Sequence, residues 1–222
     1  NSDGTLWCGT VDGAYYYKNS ILTKDLNIKE KVVYSLKIDN KNQIWYGTLS
    51  GIIKNDNGKY TEYRNSNYFQ GRECYNIYQD RELNLWFATN HGVYLFDDGK
   101  FAFYDRRNGV TSPTWSIIQR PNGEIWIGTD GDGVKILKGE DFVNIPNLAS
   151  LPKTIWNIFQ DSKNNVWFST NDGIYFLDSK NSLKIFSNKL FFNNDIIYGI
   201  IEDANGDILF LSEATGVYRY DG

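Results

Sequence analysis

Short runs of alternating apolar and polar residues follow one another along the chain, and no stretch of ten or more residues has the spacing of an amphipathic helix. The segment 34–63 contains four such runs, at 34–39, 44–48, 51–54 and 59–63. β-Branched and aromatic residues dominate them, and Asn, Asp and Gly residues separate them, which is typical of strands joined by tight turns. The pattern predicts four short antiparallel strands, named A to D in chain order.

A five-residue phrase recurs through the sequence. Ile-Trp-x-Gly-Thr stands at 44–48 and 125–129, and degenerate copies stand at 6–10, 85–89, 166–170 and 208–212. The second residue of each copy, its key position, is Trp7, Trp45, Trp86, Trp126, Trp167 and finally Leu209. Successive key positions are 38, 41, 40, 41 and 42 residues apart. Repeats of this period are helical pairs or propeller blades, and the strand pattern inside each repeat favours a β-propeller.

The repeats predict six blades within a single propeller domain at 1–222. Four blades are expected to be complete, at about 33–64, 74–105, 114–146 and 154–187, and three-stranded partial blades at about 5–26 and 196–220. Two interpretations remain open. The chain is either a segment of a larger propeller or a six-bladed ring that closes on itself. We favour the segment, because both ends fall inside repeats and the chain does not begin with Met.

These repeats resemble the two-component regulator propeller repeat. The resemblance rests on Val33-Tyr34, Asp39 and the phrase at 44–52, and on the equivalent positions of the other repeats. Some positions depart from the pattern, namely Arg120 in place of Asp, Leu209 in place of Trp, and Ala88 and Ser169 in place of Gly. The resemblance implies an extracytoplasmic sensor region of a bacterial signalling receptor, in the periplasm or at the cell surface. It also implies further blades and an output domain in the same receptor.

The repeated residues are interpreted as structural. Trp7, Trp45, Trp86, Trp126 and Trp167 lie in the middle of strand B, where each is expected to pack between neighbouring blades. The glycines after the phrase, Gly13, Gly51, Gly92, Gly133, Gly173 and Gly216, are expected to adopt positive φ in the B–C turns. Asp39, Asp80 and Asp161 stand six residues before a Trp, at the A–B turn, where a carboxylate can accept backbone N–H groups.

A second set of residues is the candidate binding site. An aromatic stands eleven residues before five of the key positions, at Tyr34, Tyr75, Trp115, Trp156 and Tyr198. These residues open the A strands, which line the central channel of a propeller, so they either wedge between blades or form an aromatic mouth. Sugar rings stack on such side chains through their apolar faces. Variable loops on the same side add Arg72, Arg107, His91, Asp130 and Asp172, together with Tyr68, Phe69, Gln70 and Phe192.

Composition excludes several other functions. The formal charge of −4 argues against general nucleic-acid binding, which requires a basic face. One His and two Cys exclude a Cys-rich zinc site and a dense disulfide framework, and we expect Cys8 and Cys74 to be free and mostly buried. No apolar run is long enough to span a membrane. The sequence has no nucleophile elbow or phosphate-binding loop, so we predict no catalytic residue, no metal and no cofactor.

The sequence therefore predicts a non-catalytic propeller that senses a small ligand, an oligosaccharide, at its loop-rich face. One alternative is a protein-interaction or dimerisation scaffold, which would expose a broad apolar patch instead of a concave site. A second alternative is a propeller glycosidase or lyase, because carboxylates at Asp130, Asp172 and Glu213 occupy equivalent loops. The oligomeric state, including a homodimer, stays open.

Overall fold

The computed structural model describes residues 3–63, 69 and 72–221, except for the side chains of 188 and 189. Its described residues form six small antiparallel sheets, each with its strands in sequence order. Four sheets have four strands, and the first and last have three. The predicted all-β propeller fold, with four complete and two three-stranded blades, is confirmed. None of the helices in the described part is long and apolar enough to span a membrane.

The strands follow the repeats closely. Blade 1 contains β1 (Leu6–Thr10), β2 (Gly13–Lys18) and β3 (Ile21–Lys24). Blade 2 contains β4 (Val33–Ile38), β5 (Ile44–Thr48), β6 (Gly51–Asp56) and β7 (Lys59–Glu62). Blade 3 contains β8 (Cys74–Gln79), β9 (Leu85–Thr89), β10 (Gly92–Asp97) and β11 (Lys100–Tyr104).

The second half of the chain has the same order. Blade 4 contains β12 (Thr114–Gln119), β13 (Ile125–Thr129), β14 (Val134–Lys138) and β15 (Asp141–Asn144). Blade 5 contains β16 (Ile155–Gln160), β17 (Val166–Thr170), β18 (Gly173–Leu177) and β19 (Leu183–Asn188). Blade 6 contains β20 (Ile197–Glu202), β21 (Ile208–Ser212) and β22 (Val217–Tyr220). Short 3-10 helices occupy Arg106–Asn108, Pro146–Leu148 and Lys189–Phe192.

The chain packs as two compact units, Asn1–Asp105 with blades 1 to 3 and Arg106–Gly222 with blades 4 to 6. Within each unit the hydrophobic core lies between consecutive blades. In the first unit, Trp45 and Ile52 of blade 2 pack against Ile77 and Phe87 of blade 3. The core between blades 4 and 5 is built the same way, for example from Trp126 and Phe168. Burial of these side chains is the main force holding adjacent blades together.

A hydrogen bond explains the fixed spacing between Asp and Trp. The indole Nε1 of Trp45 donates to Asp39 Oδ2 at 2.8 Å, and the other oxygen of Asp39 accepts two backbone N–H groups of its turn. The same indole–carboxylate bond joins Asp80 to Trp86 and Asp161 to Trp167. A buried indole N–H normally needs a hydrogen-bond acceptor. One Asp carboxylate therefore both stabilises the turn and accepts the hydrogen bond of the Trp indole.

Two departures from this pattern have physical explanations, whereas the buried Trp7 Nε1 has no partner among the described residues. Where Arg120 replaces the Asp, Trp126 Nε1 donates instead to Glu124 Oε2 at 3.2 Å, and the Arg120 guanidinium lies over the indole ring. Where Leu209 replaces the Trp, Asp203 still accepts backbone N–H groups from its turn. The Asp therefore serves the turn in every blade that has one, and the indole only where there is an indole.

The last residue of the phrase shapes the B–C turn. The hydroxyl of Thr48 donates to the carbonyl of Gly51 at 2.9 Å, and four other blades repeat the bond. The six glycines after the phrase all have positive φ, between 75° and 137°. An L-residue with a side chain is strained at such angles, so glycine is required there. This turn holds the loop that follows strand B close to the start of strand A.

Candidate functional site

Each of the five candidate aromatics is the extra residue of a β-bulge. In blade 2, Val33 pairs with Thr48 and Ser35 pairs with Gly47, so Tyr34 has no residue opposite it. The same shift in register occurs at Tyr75, Trp115, Trp156 and Tyr198. Bulges bend a strand and re-aim a side chain, and they are common beside binding sites. We call these five residues the bulge aromatics.

The glycine of the repeated phrase makes room for the bulge of the next blade. A Cβ atom on Gly47 would lie 2.7 Å from the carbonyl oxygen of Cys74, the residue before Tyr75. A Cβ atom on Gly9 would likewise lie 2.7 Å from the carbonyl oxygen of Val33, the residue before Tyr34. In blade 5 the Ser169 hydroxyl donates directly to the matching carbonyl of blade 6, that of Ile197. In these three pairs of blades, a small residue at this position therefore lets the bulge lie against the preceding blade.

In the first unit the bulge aromatics are held by a carboxylate. The rings of Tyr34 and Tyr75 meet edge to face, with centroids 5.3 Å apart. The Tyr75 hydroxyl donates to Glu73 Oε2 at 2.8 Å, and the Tyr34 hydroxyl lies 3.5 Å from the same oxygen. Burial and the nearby Glu73 charge raise the pKa of Tyr34. Two phenol rings and a carboxylate thus form one polar-edged aromatic surface.

The second unit presents a longer row of rings. Trp115 and Trp156 have centroids 5.3 Å apart, and Trp156 and Tyr198 have centroids 5.6 Å apart. Both indoles are half-buried, whereas the Tyr198 side chain is exposed. Trp156 Nε1 and Asn157 Oδ1 are buried and have no hydrogen-bond partner among the described residues. Buried polar atoms are normally paired, so this donor and this acceptor are unsatisfied groups directly at the row of rings.

The B–C loops lie beside the bulges but differ in what they offer. The Asn90 N–H donates to the carbonyl of Glu73, which fixes one such loop next to the first-unit rings. Asp130 is less available, because its Oδ1 accepts the hydroxyl of Thr154 in the next blade. His91 and Asp172 are exposed turn residues whose backbone N–H groups bond the preceding Thr. Burial and the Glu213 charge raise the pKa of Tyr198.

Two connector residues expected at the loop surface are core residues instead. Phe69 is fully buried and stacks on Tyr94 at 4.1 Å, and Phe192 is buried against Phe210 and Tyr218. Each fills space between blades, so the expectation that they line a binding loop is wrong. Tyr68 and Gln70, from the same set of candidates, lie outside the described residues.

The two candidate arginines lie in different surroundings. Arg72 Nη1 donates to the Tyr94 hydroxyl at 2.6 Å, and its guanidinium lies 4.5 Å from the centroid of the Phe103 ring. Arg72 therefore contacts both β10 and β11 in the outer part of blade 3. Arg107 is exposed on the short 3-10 helix Arg106–Asn108 of the second unit.

Three clefts lie at the opposite ends of the blades, where the A–B and C–D turns meet. One, of 340 Å³, lies between blades 2 and 3 and is lined by Trp45 and Phe96. In the second unit, a cleft of 500 Å³ is lined by Trp126, and another of 280 Å³ is lined by Trp167. Sequence patterns did not reveal them, because their walls come from two blades. The signal that could have done so is the repeated Trp itself.

The described residues offer no obvious metal chemistry. No group of three His, Cys, Asp or Glu side chains among them could hold a metal ion. Cys74 is buried and Cys8 is half-buried, and both are free thiols, as predicted. The bulge aromatics present ring faces for stacking. The Glu73 carboxylate, a hydrogen-bond acceptor, and the unsatisfied polar atoms of blade 5 lie beside them.

Comparisons with known proteins support the propeller fold. The family model described as "Two component regulator propeller" matches residues 150–172. No curated protein matches the sequence. The fold is similar to the extracellular domain of a protein described as a hybrid two component system of B. thetaiotaomicron, with a TM-score of 0.81 and 26% identity over 98% of this chain and 33% of that chain.

Two further solved structures show the same fold at lower identity. The extracellular domain of a protein described as a one component system of B. thetaiotaomicron has a TM-score of 0.82 and 22% identity over 100% of this chain and 31% of that one. Virginiamycin B lyase from Staphylococcus aureus has a TM-score of 0.74 and 17% identity over 98% and 77%. The chain spans about a third of the length of the two B. thetaiotaomicron domains. The resemblance of its repeats to the two-component regulator propeller family is confirmed.

Proposed function

We propose that this chain is part of the extracellular region of a bacterial signalling receptor, where it senses a ligand without catalysing a reaction. The similarity to extracellular domains of B. thetaiotaomicron regulatory systems supports the location and the sensing role. Those domains are about three times as long as this chain. The output domain, further blades of the same receptor and any second copy of it are therefore the proposed partners.

We propose an oligosaccharide as the ligand, and the placement of aromatic rings on bulges is the observation that carries this. A residue in regular pairing would alternate with its neighbours between the two packed faces of the blade. The bulge releases one aromatic per blade from this alternation and leaves Tyr34 and Tyr198 exposed. Rings of this kind stack on the apolar faces of sugars, and Glu73 and Asn157 supply acceptors for hydroxyl groups.

Binding signals only if the ligand prefers one arrangement of the receptor. A ligand shifts an equilibrium by its difference in affinity for the two states and by nothing more. Within each unit, bulges lie against the preceding blade through residues such as Gly47 and Ser169. A sugar that bridges neighbouring bulge aromatics would therefore favour one spacing of adjacent blades.

A thermal-shift screen against neutral plant, host and microbial oligosaccharides tests the proposal. A ligand at 100 times its Kd adds about 2.7 kcal/mol, which raises the melting temperature by roughly 5–10 °C for a chain of this size. The matched variants are Tyr198→Ala and Ile201→Ala, because both residues lie on β20 with similar exposure, 48% and 45%. We expect Tyr198→Ala and Trp156→Ala to weaken binding at least tenfold and Ile201→Ala to leave it unchanged.

Three results would count against the proposal. A folded sample that responds to none of the oligosaccharides would remove the sugar as ligand. A response that survives in Tyr198→Ala and Trp156→Ala alike would place binding elsewhere. Release of reducing sugar from a bound oligosaccharide would show that the propeller is an enzyme instead of a sensor.

One observation favours the alternative of an interaction scaffold. Five aliphatic side chains of blade 1 and the segment after it are more than half exposed, namely Leu6, Val11, Ile21, Leu22 and Leu26. Exposed apolar residues in this number are typical of surfaces that bind another protein. Sedimentation of the wild type and of Leu22→Glu tests this alternative, because only a scaffold that self-associates would dissociate on the substitution.

A further inference from the structure

In two of the clefts at the A–B turns, a Lys or Arg side chain of the protein lies over the repeated Trp. In the cleft between blades 2 and 3, the Lys54 ammonium lies 5.3 Å from the centroid of the Trp45 ring. In the cleft between blades 4 and 5, the Arg120 guanidinium lies 5.0 Å from the centroid of the Trp126 ring. The negative face of an indole attracts a cation at such distances. These contacts show that the clefts accommodate a positive group beside their Trp.

The cleft between blades 5 and 6 differs at both of these positions. Phe176 is directly paired with Trp167 across the strands, as Lys54 is with Trp45. Asp161 stands six residues before Trp167, where Arg120 stands before Trp126. Among the residues that the structure describes, no Lys or Arg lies over the Trp167 ring. This cleft has the repeated Trp without the cation that lies over Trp45 and Trp126 in the other two clefts.

Four of the residues that line it are aromatic, namely Trp167, Phe176, Phe186 and Tyr220. The Trp167 centroid lies 4.7 Å from that of Phe176, 5.0 Å from that of Phe186 and 6.0 Å from that of Tyr220. Tyr220 is 37% exposed, so it borders the opening. The volume of 280 Å³ is sufficient for a trimethylammonium head group.

The charges around the cleft favour a cation. The charged groups that line it are Asp161, Glu202 and Lys163, which together carry one net negative charge. Asp161 already accepts hydrogen bonds from Trp167 and from the Asn165 side chain. Glu202 accepts the backbone N–H of Ser162 at 2.7 Å and is the carboxylate nearest the surface. An incoming cation would be balanced by Glu202.

We propose that the Trp167 cleft binds an organic ammonium ion, with the positive group against the aromatic rings and Glu202 as its counter-charge. The site is separate from the bulge aromatics. Trp156 and Asp161 stand five residues apart in the segment that includes β16, which corresponds to roughly 17 Å of extended chain. The proposal therefore stands whether or not the bulge aromatics bind a sugar.

Isothermal titration of the full chain with choline and with its neutral isostere, 3,3-dimethylbutan-1-ol, tests the proposal. We expect choline to bind at least tenfold more tightly than the alcohol. Titration with Nα-acetyl-lysine methylamide distinguishes the source of the ammonium group, because tighter binding than choline would assign the cleft to a lysine side chain of a peptide. Equal affinity for choline and the alcohol would overturn the proposal.

Two reciprocal substitutions localise the binding. Phe176→Lys introduces the cation found in the Trp45 cleft, so it should lower choline affinity at least tenfold. Lys54→Met removes that cation and should create a second choline site in the first unit. Glu202→Gln is the second test if Phe176→Lys does not fold, and it should weaken choline but not the alcohol. Ile185→Ala, at an exposed position of β19, is the control. Wild-type choline affinity in folded Phe176→Lys or Glu202→Gln would refute the assignment.

Discussion

Replacing Asp39 by Ala should destabilise the protein more than replacing Asp203 by Ala, and the difference should measure the indole bond. Both carboxylates accept backbone N–H groups from the residues two and four positions later. Asp39 additionally accepts the buried Trp45 indole at 2.8 Å, whereas blade 6 has Leu209 at that position. The pair therefore differs by one charge-assisted hydrogen bond.

The magnitude follows from that bond. A hydrogen bond to a charged group contributes about 1.5–3 kcal/mol, and its loss leaves the indole N–H of Trp45 buried and unpaired. We expect Asp39→Ala to lower the free energy of unfolding by about 3 kcal/mol and Asp203→Ala by about 1 kcal/mol. A difference of about 2 kcal/mol corresponds to roughly 4–8 °C in melting temperature for a chain of this size.

Urea unfolding, followed by circular dichroism and by Trp fluorescence, is the assay. The double variant Asp39→Ala/Trp45→Phe completes a cycle in which the coupling energy should be about 1–2 kcal/mol. Asp161→Ala repeats the comparison in the unit that contains Asp203. If Asp39→Ala and Asp203→Ala are equally destabilising to within about 0.5 kcal/mol, the indole bond does not explain the spacing of six.

Three other changes have defined outcomes. Gly47→Ala should lower the free energy of unfolding by about 1–3 kcal/mol, because its Cβ would lie 2.7 Å from the Cys74 carbonyl; an unchanged urea midpoint would show that the bulge can move away. Burial and the hydrogen bond to Asp25 raise the pKa of Tyr60 to about 12, so the stability it contributes is complete below pH 10 and is lost as the pH rises towards 12. Tyr60→Phe should reduce this alkaline loss in urea titrations between pH 9 and 12, and an identical loss in the variant would contradict the assignment. Ellman's reagent should modify Cys8 slowly and Cys74 only in urea, because Cys74 is buried and burial raises its pKa; fast reaction of both native thiols would be inconsistent with this packing.

The repeat predicted the fold because a blade is a local structure. All four strands of blade 2 come from one stretch of about 30 residues, so the period and turn residues of that stretch specify the sheet. The aromatic positions were found in the same way, by counting from the key Trp. Their backbone geometry was not, because a bulge is a relation between strands and Tyr34 has the same sequence context whether or not it is paired.

The errors arose where two blades meet. Phe69 and Phe192 stand in connectors that also contain exposed or polar residues, such as the exposed Phe191, and only the neighbouring blade shows that each fills a gap in the core. The clefts were missed for the same reason, since each is bounded by side chains about 40 residues apart. The apolar character of both phenylalanines was a partial signal, because Phe is often buried, but it does not distinguish the buried Phe192 from the exposed Phe191 beside it.

The β-bulges also make the proposed binding surface, formed by the bulge aromatics, modular. Because each bulge residue stands outside the pairing of its sheet, exchanging Tyr34 or Tyr198 for another residue leaves the contacts of the strand partners intact. Each blade with a bulge then presents one residue that can be exchanged without changing the pairing of its strands. Receptors for different ligands could therefore diverge by substitution at the bulge positions alone. A designed library confined to these positions would vary the binding specificity at little risk to folding.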